Sequence, residues 1–287
     1  MPEGDTVYQL WKRQQPLEGR VVTAWDARVP SLATTDATGA VIERVWPWGK
    51  HLFWRLVSER GADVLHTHLR MDGTWRVHAA GSRWSAPAHT ARLVVRVAGA
   101  PDPAREVELV GHDLGMVELW PAEQYAARTA HLGPDPLAAD WDIPGRWDRP
   151  GRDEALARLA AQTGTSLGEA LLDQRVIAGL GNVFRAELCF LLGAHPASDV
   201  RSREPDLVVE RAAETLQFNR ERVARLFTGV DRAGERTFVY GREGQPCRRC
   251  GTPIRSGRLG GATTVADPRA GQDRIVYWCP RCQPLQG

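Results

Sequence analysis

The chain has 287 residues, 43% of them hydrophobic and 25% charged, with a formal net charge of +2. That is ordinary globular composition, long enough for two or three domains and a sizeable core. No apolar run approaches the roughly 20 residues that span a bilayer. The first thirty residues carry Glu3, Asp5, Lys12, Arg13, Glu18 and Arg20 without an unbroken apolar stretch, so no signal peptide and no membrane partner are expected, and the expected location is the cytoplasm.

In chain order, the stretch MPEGDTVYQL opens onto an amphipathic helix over Asp5–Gln15, with Asp5 able to cap it and Pro16 and Gly19 to stop it. Eight β-rich runs follow, at 20–29, 37–48, 50–58, 62–69, 73–79, 91–99, 105–113 and 115–120. Alternation in VVTAW, RLVVRV and EVELV, with turn residues between runs, predicts a β-sandwich or barrel. Only two basic residues are lysines, and one of them, Lys50, lies between aromatics in WPWGKHLFW, an odd place for an unneeded charge.

The Pro-, Gly- and Trp-rich residues 134–153 read as an interdomain connection, and 152–228 as helical. Helices are expected at 153–162, at 166–174 with a Ser166/Glu169 capping box, from Asn182 to Gly193, and over 204–227. The turn VIAGLGN before Asn182 has two readings. Its backbone N–H groups and the asparagine amide suit a phosphate, or Gly179 and Gly181 simply supply positive φ at a helix corner.

The last segment is basic: from Gly241 to Gly287 there are eight arginines against three acidic residues. Cys247 and Cys250, then Cys279 and Cys282, form two C-x-x-C pairs, the soft tetrahedral ligand set of Zn²⁺. Four thiolates leave no open position for a catalytic water, so one structural zinc per chain is expected. Left unliganded, the two turns would give this segment very little core. Cys189, in ELCFLLG, reads as a core residue.

PEG at the start, GKHL, HLRM-G, LLDQ-x-x-x-AGLGN and an Arg-containing strand running into C-x-x-C occur together and in order. The set resembles the formamidopyrimidine-DNA glycosylase/endonuclease VIII family of base-excision repair enzymes. The resemblance implies a multidomain α+β fold: an N-terminal β-sandwich with a terminal helix (1–135), a helix–two-turn–helix domain (136–236) and a β-hairpin zinc finger (237–287). It implies a DNA glycosylase and abasic-site lyase acting on damaged double-stranded DNA, expected to be monomeric and nucleoid-associated when bound.

By the same resemblance Met1 is removed and Pro2 becomes the nucleophile, with Glu3 as general acid/base. The chemistry is sound, because an α-amine of pKa about 7.7–8.0 is roughly one tenth neutral at pH 7, against about 0.04% for a lysine. Lys50 matches the lysine that contacts the lesion phosphate and assists β-elimination. His68, Asn182 and Arg274 match phosphate ligands, Arg70 a DNA contact, and Met71 the wedge that fills the gap left by a flipped base. His66 and His78 match nothing and read as structural or surface residues, and neither Asp5 nor Thr6 is given a catalytic role. GHDLGMVELW lacks the Arg and Phe of the oxidised-purine branch, and only FTGVDRAGERTF separates the last helix from the finger. Both features point to the endonuclease VIII branch and oxidised pyrimidines, whereas HLRMDG resembles the purine branch. An oxidised-purine glycosylase and a non-catalytic damaged-DNA-binding protein of the same fold are the alternatives.

Overall fold

Each of the eight β-rich runs becomes a strand. The computed structural model describes residues 1–99, 102, 105–260 and 274–285. Within these residues the chain divides into two units, Met1–His131 and Leu132–Gly287. The first begins with helix α1 (Gly4–Gln14). Strands β1 (Val22–Ala27), β2 (Val41–Trp48), β3 (His51–Ser58), β4 (Gly61–His68), β5 (Thr74–Ala79), β6 (Ala91–Val97), β7 (Val107–His112) and β8 (Met116–Pro121) follow, then a short helix α2 (Tyr125–Thr129).

These strands form two antiparallel four-stranded sheets, ordered β2-β3-β4-β8 and β1-β6-β7-β5. One face of each is apolar at every second position. Leu52, Trp54 and Leu56 of β3 meet Leu93, Val95 and Val97 of β6 and Leu109 of β7 in a shared core, the sandwich that the alternation predicts. Val7 and Leu10 of α1 join that core. Trp54 donates its indole N–H to Gln14 Oε1 at 2.9 Å, so the helix is tied to β3.

The start of α1 differs from the expectation. Glu3, not Asp5, is the N-cap residue, with extended backbone at φ −130° and ψ −171°. Its carbonyl accepts from the N–H groups of Thr6 and Val7 at 3.0 and 3.2 Å. Asp5 lies inside the first turn, where its Oδ1 accepts from the Thr6 N–H at 2.8 Å. An acid is favourable there beside the exposed N–H groups of the turn.

In the second unit, Pro134–Pro150 is an ordered strap rather than a free connection. Trp141 is buried in the helical core, and the N–H groups of Gly151 and Arg152 donate to the carbonyls of Asp140 and Trp141. Helices α3 (Gly151–Ala160), α4 (Leu167–Ala170), α5 (Asn182–Leu191) and α6 (Pro205–Asn219) follow. The Ser166/Glu169 capping box forms as expected: Glu169 N–H donates to Ser166 Oγ, and Ser166 N–H to Glu169 Oε2, both at 3.2 Å. At the glycine turn, Gly179 has φ +100°, while Gly181 is extended and caps α5.

Helix α6 stops eight residues short of the predicted Phe227. The buried Asn219 side chain ends it: its Oδ1 accepts from the Leu226 N–H at 2.7 Å, and its amide donates to the Leu226 carbonyl at 3.2 Å. That pair mimics a backbone ladder and folds the following segment back. The C-terminal segment carries the antiparallel strands β9 (Arg255–Leu259) and β10 (Arg274–Trp278).

Candidate active site and metal centre

Two groups of the residues singled out from the sequence assemble, one in each unit. In the first unit, β2 and β3 are joined by a two-residue turn, Gly49-Lys50, because Trp48 pairs directly with His51. Gly49 has φ +58°, which a glycine at the first central position of a tight hairpin supplies without strain. The turn puts Lys50 at the tip of the sheet, and the β3–β4 register sets His51 opposite His68.

His68 is held in one tautomer. Its Nδ1 accepts the backbone N–H of Arg70 at 2.9 Å, so a neutral ring carries its proton on Nε2 as a hydrogen-bond donor. Burial, then the Lys50 ammonium, the neighbouring His66 and the Arg70 guanidinium, lowers its pKa to about 4. At neutral pH the site therefore offers a charged ammonium on Lys50 and a neutral N–H donor on His68, a combination suited to an anionic oxygen.

After His68 the chain makes a tight turn. Gly73 N–H donates to the Leu69 carbonyl, and Gly115 N–H to the His68 carbonyl, both at 3.0 Å. Arg70 sits at φ +54°, a left-handed conformation that is uncommon for a residue with a side chain. A Cβ on Gly115 would lie 2.4 Å from Arg70 Cγ and Cδ, so only glycine leaves room for that stem. Met71, next in the turn, is 54% exposed. Pro2 is half-buried and Glu3 is fully buried at the head of α1.

The second group lies where α5 meets β10. Asn182 is the first residue of α5, and its amide donates to the Ile275 carbonyl at 3.0 Å. An N–H of the buried Arg185 donates to the same carbonyl at 3.0 Å and also to Asn182 Oδ1. The Asn182 amide is thus fixed, and the strand carrying Arg274, adjacent to Ile275, is tied to the start of α5. Helix α5 also carries Glu187, whose buried carboxylate accepts the backbone N–H groups of Phe238, Val239 and Tyr240 at 2.7, 2.9 and 2.8 Å.

Beyond that anchor, the thiols of Cys247, Cys250, Cys279 and Cys282 all lie within 4.8 Å of one another and can hold a metal ion. Backbone N–H groups of Arg249 and Cys282 point at the sulfurs of Cys247 and Cys279 at 3.4 Å, which stabilises thiolate ligands. Cys189 is fully buried in the helical core, and burial raises its thiol pKa to about 12. It stands apart from the cluster, as its apolar setting predicts.

Residues 1–113 match the formamidopyrimidine-DNA glycosylase N-terminal domain, and residues 132–224 the H2TH domain of the same glycosylase. A Streptomyces coelicolor protein named probable endonuclease 8 2 is 42% identical over 99% of this chain and 94% of its own length. The chain belongs to the formamidopyrimidine-DNA glycosylase/endonuclease VIII family. Within the family it is 43% identical to endonuclease 8 2 of Mycobacterium bovis, over 99% of this chain and all of that one. It is 41% identical to the DNA-(apurinic or apyrimidinic site) lyase Nei2 of Mycolicibacterium smegmatis, over 99% of each. A crystal structure of Lactococcus lactis Fpg with DNA containing an abasic site has the same fold, at a TM-score of 0.74 and 21% identity over 98% of this chain and 99% of that one.

Three side chains of the family fold that the sequence did not single out as functional also stand at this site. His51 Nδ1 lies 2.8 Å from His66 Nε2, and His66 Nδ1 lies 3.2 Å from Glu118 Oε2. A signal was present: His66 and His68 are two apart on one strand, so they share a face, and His51 begins the neighbouring strand. Among the described residues, no helix is long and apolar enough to cross a membrane.

Proposed function

We propose that this protein is a bifunctional DNA glycosylase and abasic-site lyase of base-excision repair whose nucleophile is the amine of Pro2, exposed by removal of Met1. The neutral amine attacks C1′ of the damaged nucleotide, the bond from C1′ to the base breaks, and the base leaves with the bonding electrons and a proton equivalent to the one that the amine nitrogen gives up. Glu3 gives a proton to the ring oxygen as the sugar opens, leaving an iminium between Pro2 and C1′. The iminium acidifies the 2′ hydrogens. Loss of one proton from C2′ expels the 3′ phosphate, and a second elimination expels the 5′ phosphate.

The observation that carries this reading is the pairing of Lys50 with a neutral His68 at the hairpin tip. A cation and a neutral donor there suit the phosphate that leaves. Asn182 and Arg274 supply further phosphate contacts, Arg70 contacts DNA, and Met71 enters the stack when the base leaves it. The substrate is damaged double-stranded DNA, the protein acts as a monomer in the cytoplasm, and its working parts divide at 1–135, 136–236 and 237–287. Borohydride added during reaction with abasic DNA should trap one covalent protein–DNA species. Trapping that persists unchanged in Pro2→Gly, or when Met1 is retained, removes Pro2 from the mechanism.

The metal is zinc. A tetrahedron of Zn–S bonds of about 2.3 Å has edges of about 3.8 Å. The Cys250–Cys279 and Cys247–Cys282 sulfurs are 3.4 and 3.9 Å apart. Four thiolates fill the coordination shell, so the ion is structural and fixes the segment from which Arg274 projects. Cys247→Ser should lose about one zinc per chain and bind DNA less tightly; full affinity without metal would refute the role.

Oxidised pyrimidines are the favoured lesions, from the missing Arg and Phe in GHDLGMVELW and the short FTGVDRAGERTF segment. The HLRMDG turn favours the second reading, oxidised purines. Initial rates on duplexes with 5-hydroxyuracil, thymine glycol, 8-oxoguanine or formamidopyrimidine separate the two.

A further inference from the structure

A chain of hydrogen bonds runs from Glu118, at the surface, through the buried His66 to His51, which adjoins Lys50 in the sequence. The face of sheet β2-β3-β4-β8 opposite the sandwich core carries His51 and Phe53 on β3, His66 and His68 on β4, and Glu118 and Trp120 on β8. Register makes the chain: His66 pairs with Phe53 on one side and Glu118 on the other, and His51 is its diagonal neighbour. Aromatic rings enclose it. Phe53 stacks on His66 at 4.7 Å between ring centres, and Tyr125 of α2 and Trp120 pack around Phe53.

The direction of the hydrogen bonds follows from the donor inventory. An ionised carboxylate only accepts, so Glu118 requires a proton on His66 Nδ1. Trp120 Nε1–H also donates to Glu118 Oε2, at 3.3 Å, and holds the carboxylate. A neutral His66 then has a lone pair on Nε2, which requires a proton on His51 Nδ1. A neutral His51 is left with a bare, accepting Nε2. Both rings are held neutral chiefly by burial, His51 well below the ordinary histidine value. The charged or titratable groups facing them are Lys50, His68, His131, Arg128 and Glu118; of these only Glu118 favours protonation, and it acts on His66.

We propose that Glu118, acting through His66, is a positioning residue for the hairpin tip: it locks His51 in the Nδ1–H tautomer and so fixes an accepting nitrogen next to the Lys50 ammonium and the His68 ring. The His51 and His68 rings are 4.8 Å apart and edge-on, and both His68 and Lys50 act electrostatically on His51, so where His51 carries its proton changes the field at the tip. This rests on the assignment of Lys50 to strand cleavage. It adds that the fourth strand of the sheet, which carries none of the residues in that assignment, sets the hydrogen-bonding order at its tip.

The test uses the full-length, zinc-loaded protein labelled with ¹⁵N-histidine. Long-range ¹H–¹⁵N spectra at pH 7.5 should show His51 and His66 protonated on Nδ1 and His68 on Nε2. Glu118→Gln keeps size and contacts but presents either C=O or N–H₂, so it should mix the His51 and His66 tautomers. It should also slow single-turnover cleavage of an abasic duplex by about tenfold, roughly the worth of one hydrogen bond, with unchanged affinity for that duplex. His51→Asn, which can keep the bond to His66 but has no Nε2, should slow cleavage to a similar extent. His51 protonated on Nε2 in the wild-type protein, or wild-type cleavage by His51→Asn, would overturn the proposal. Should Lys50→Ala cleave normally while the spectra match, the assignment of Lys50 fails instead.

Discussion

Met71 is a long, flexible apolar side chain held out into solvent by a turn in which Arg70 takes a left-handed conformation. Such a conformation costs about 1–3 kcal/mol at a residue with a side chain, and it marks a turn built for presentation rather than for packing. Unstacking a paired base costs a few kcal/mol, and a base already missing costs least. Met71→Ala should therefore slow base removal from a 5-hydroxyuracil duplex more than cleavage of the matching abasic duplex, while Lys50→Ala slows both. Equal losses for Met71→Ala in single-turnover assays would make it a general contact. Arg70→Gly separates conformation from contact. Glycine accepts φ +54° freely, and that relief offsets its extra chain entropy, so stability should stay within about 1 kcal/mol of wild type. DNA affinity should nevertheless fall with the lost guanidinium; an Arg70→Gly protein that binds as wild type would mean that the arginine only shapes the turn.

At the level of elements, α5 organises the second unit: Asn182 and Arg185 grip the Ile275 carbonyl, and on the same helix Glu187 grips the backbone at 238–240. Glu187→Gln puts N–H₂ against amide N–H groups that need an acceptor. At about 1–3 kcal/mol for each buried donor left without a partner, thermal stability of this unit should drop measurably and zinc should exchange faster. A melting temperature equal to wild type would show that the anchor is dispensable. None of this anchor was legible in the sequence, because its partners lie 51 to 53 residues away. The strands were legible because period-two alternation is local, and the capping box at Ser166 because its two residues are three apart. The end of α6 was not: apolar residues continue through Val223 and Leu226 at helical spacing, and only the Asn219 bridge to Leu226 reveals the reversal. At the head of α1 the acid nearest the helix looked like its cap, but Glu3 holds that position. Among the proposed site residues, Pro2, Glu3, Lys50, His68 and the four cysteines came from motifs. The spacing of His66 and His68 puts them on one strand face, but what links His66 to His51 and Glu118 is strand register, which a single sequence does not print.

Across the whole molecule, acid and chelation should strike different units. In the first unit His51, His66, His68 and His112 all have lowered pKa values, each chiefly through burial. His68 titrates at about 4 in the fold and near 6.5 when unfolded. Between those values the unfolded chain binds the additional proton, so stability rises with pH there. The contribution is fully present above pH 6.5 and is lost as pH falls toward 4; raising the pH beyond 6.5 adds nothing. In the second unit His195, packed edge-on against Trp278, is the histidine with a lowered pKa among the described residues, again through burial. Its more distinctive support is the four-cysteine centre, whose small core is Val239, Ile254, Phe190 and the cysteines themselves. Hydrogen exchange followed peptide by peptide should therefore show residues 41–68 losing protection between pH 7 and pH 5 more than residues 182–216. A chelator at pH 7.5 should do the reverse, deprotecting 237–259 and leaving the strands of the first unit unchanged. His68→Gln should flatten the acid response of the first unit, since glutamine does not titrate. Parallel pH profiles for wild type and His68→Gln would show that burial of this histidine does not limit acid stability, and loss of protection in β3 and β4 on chelation would show that the metal supports both units.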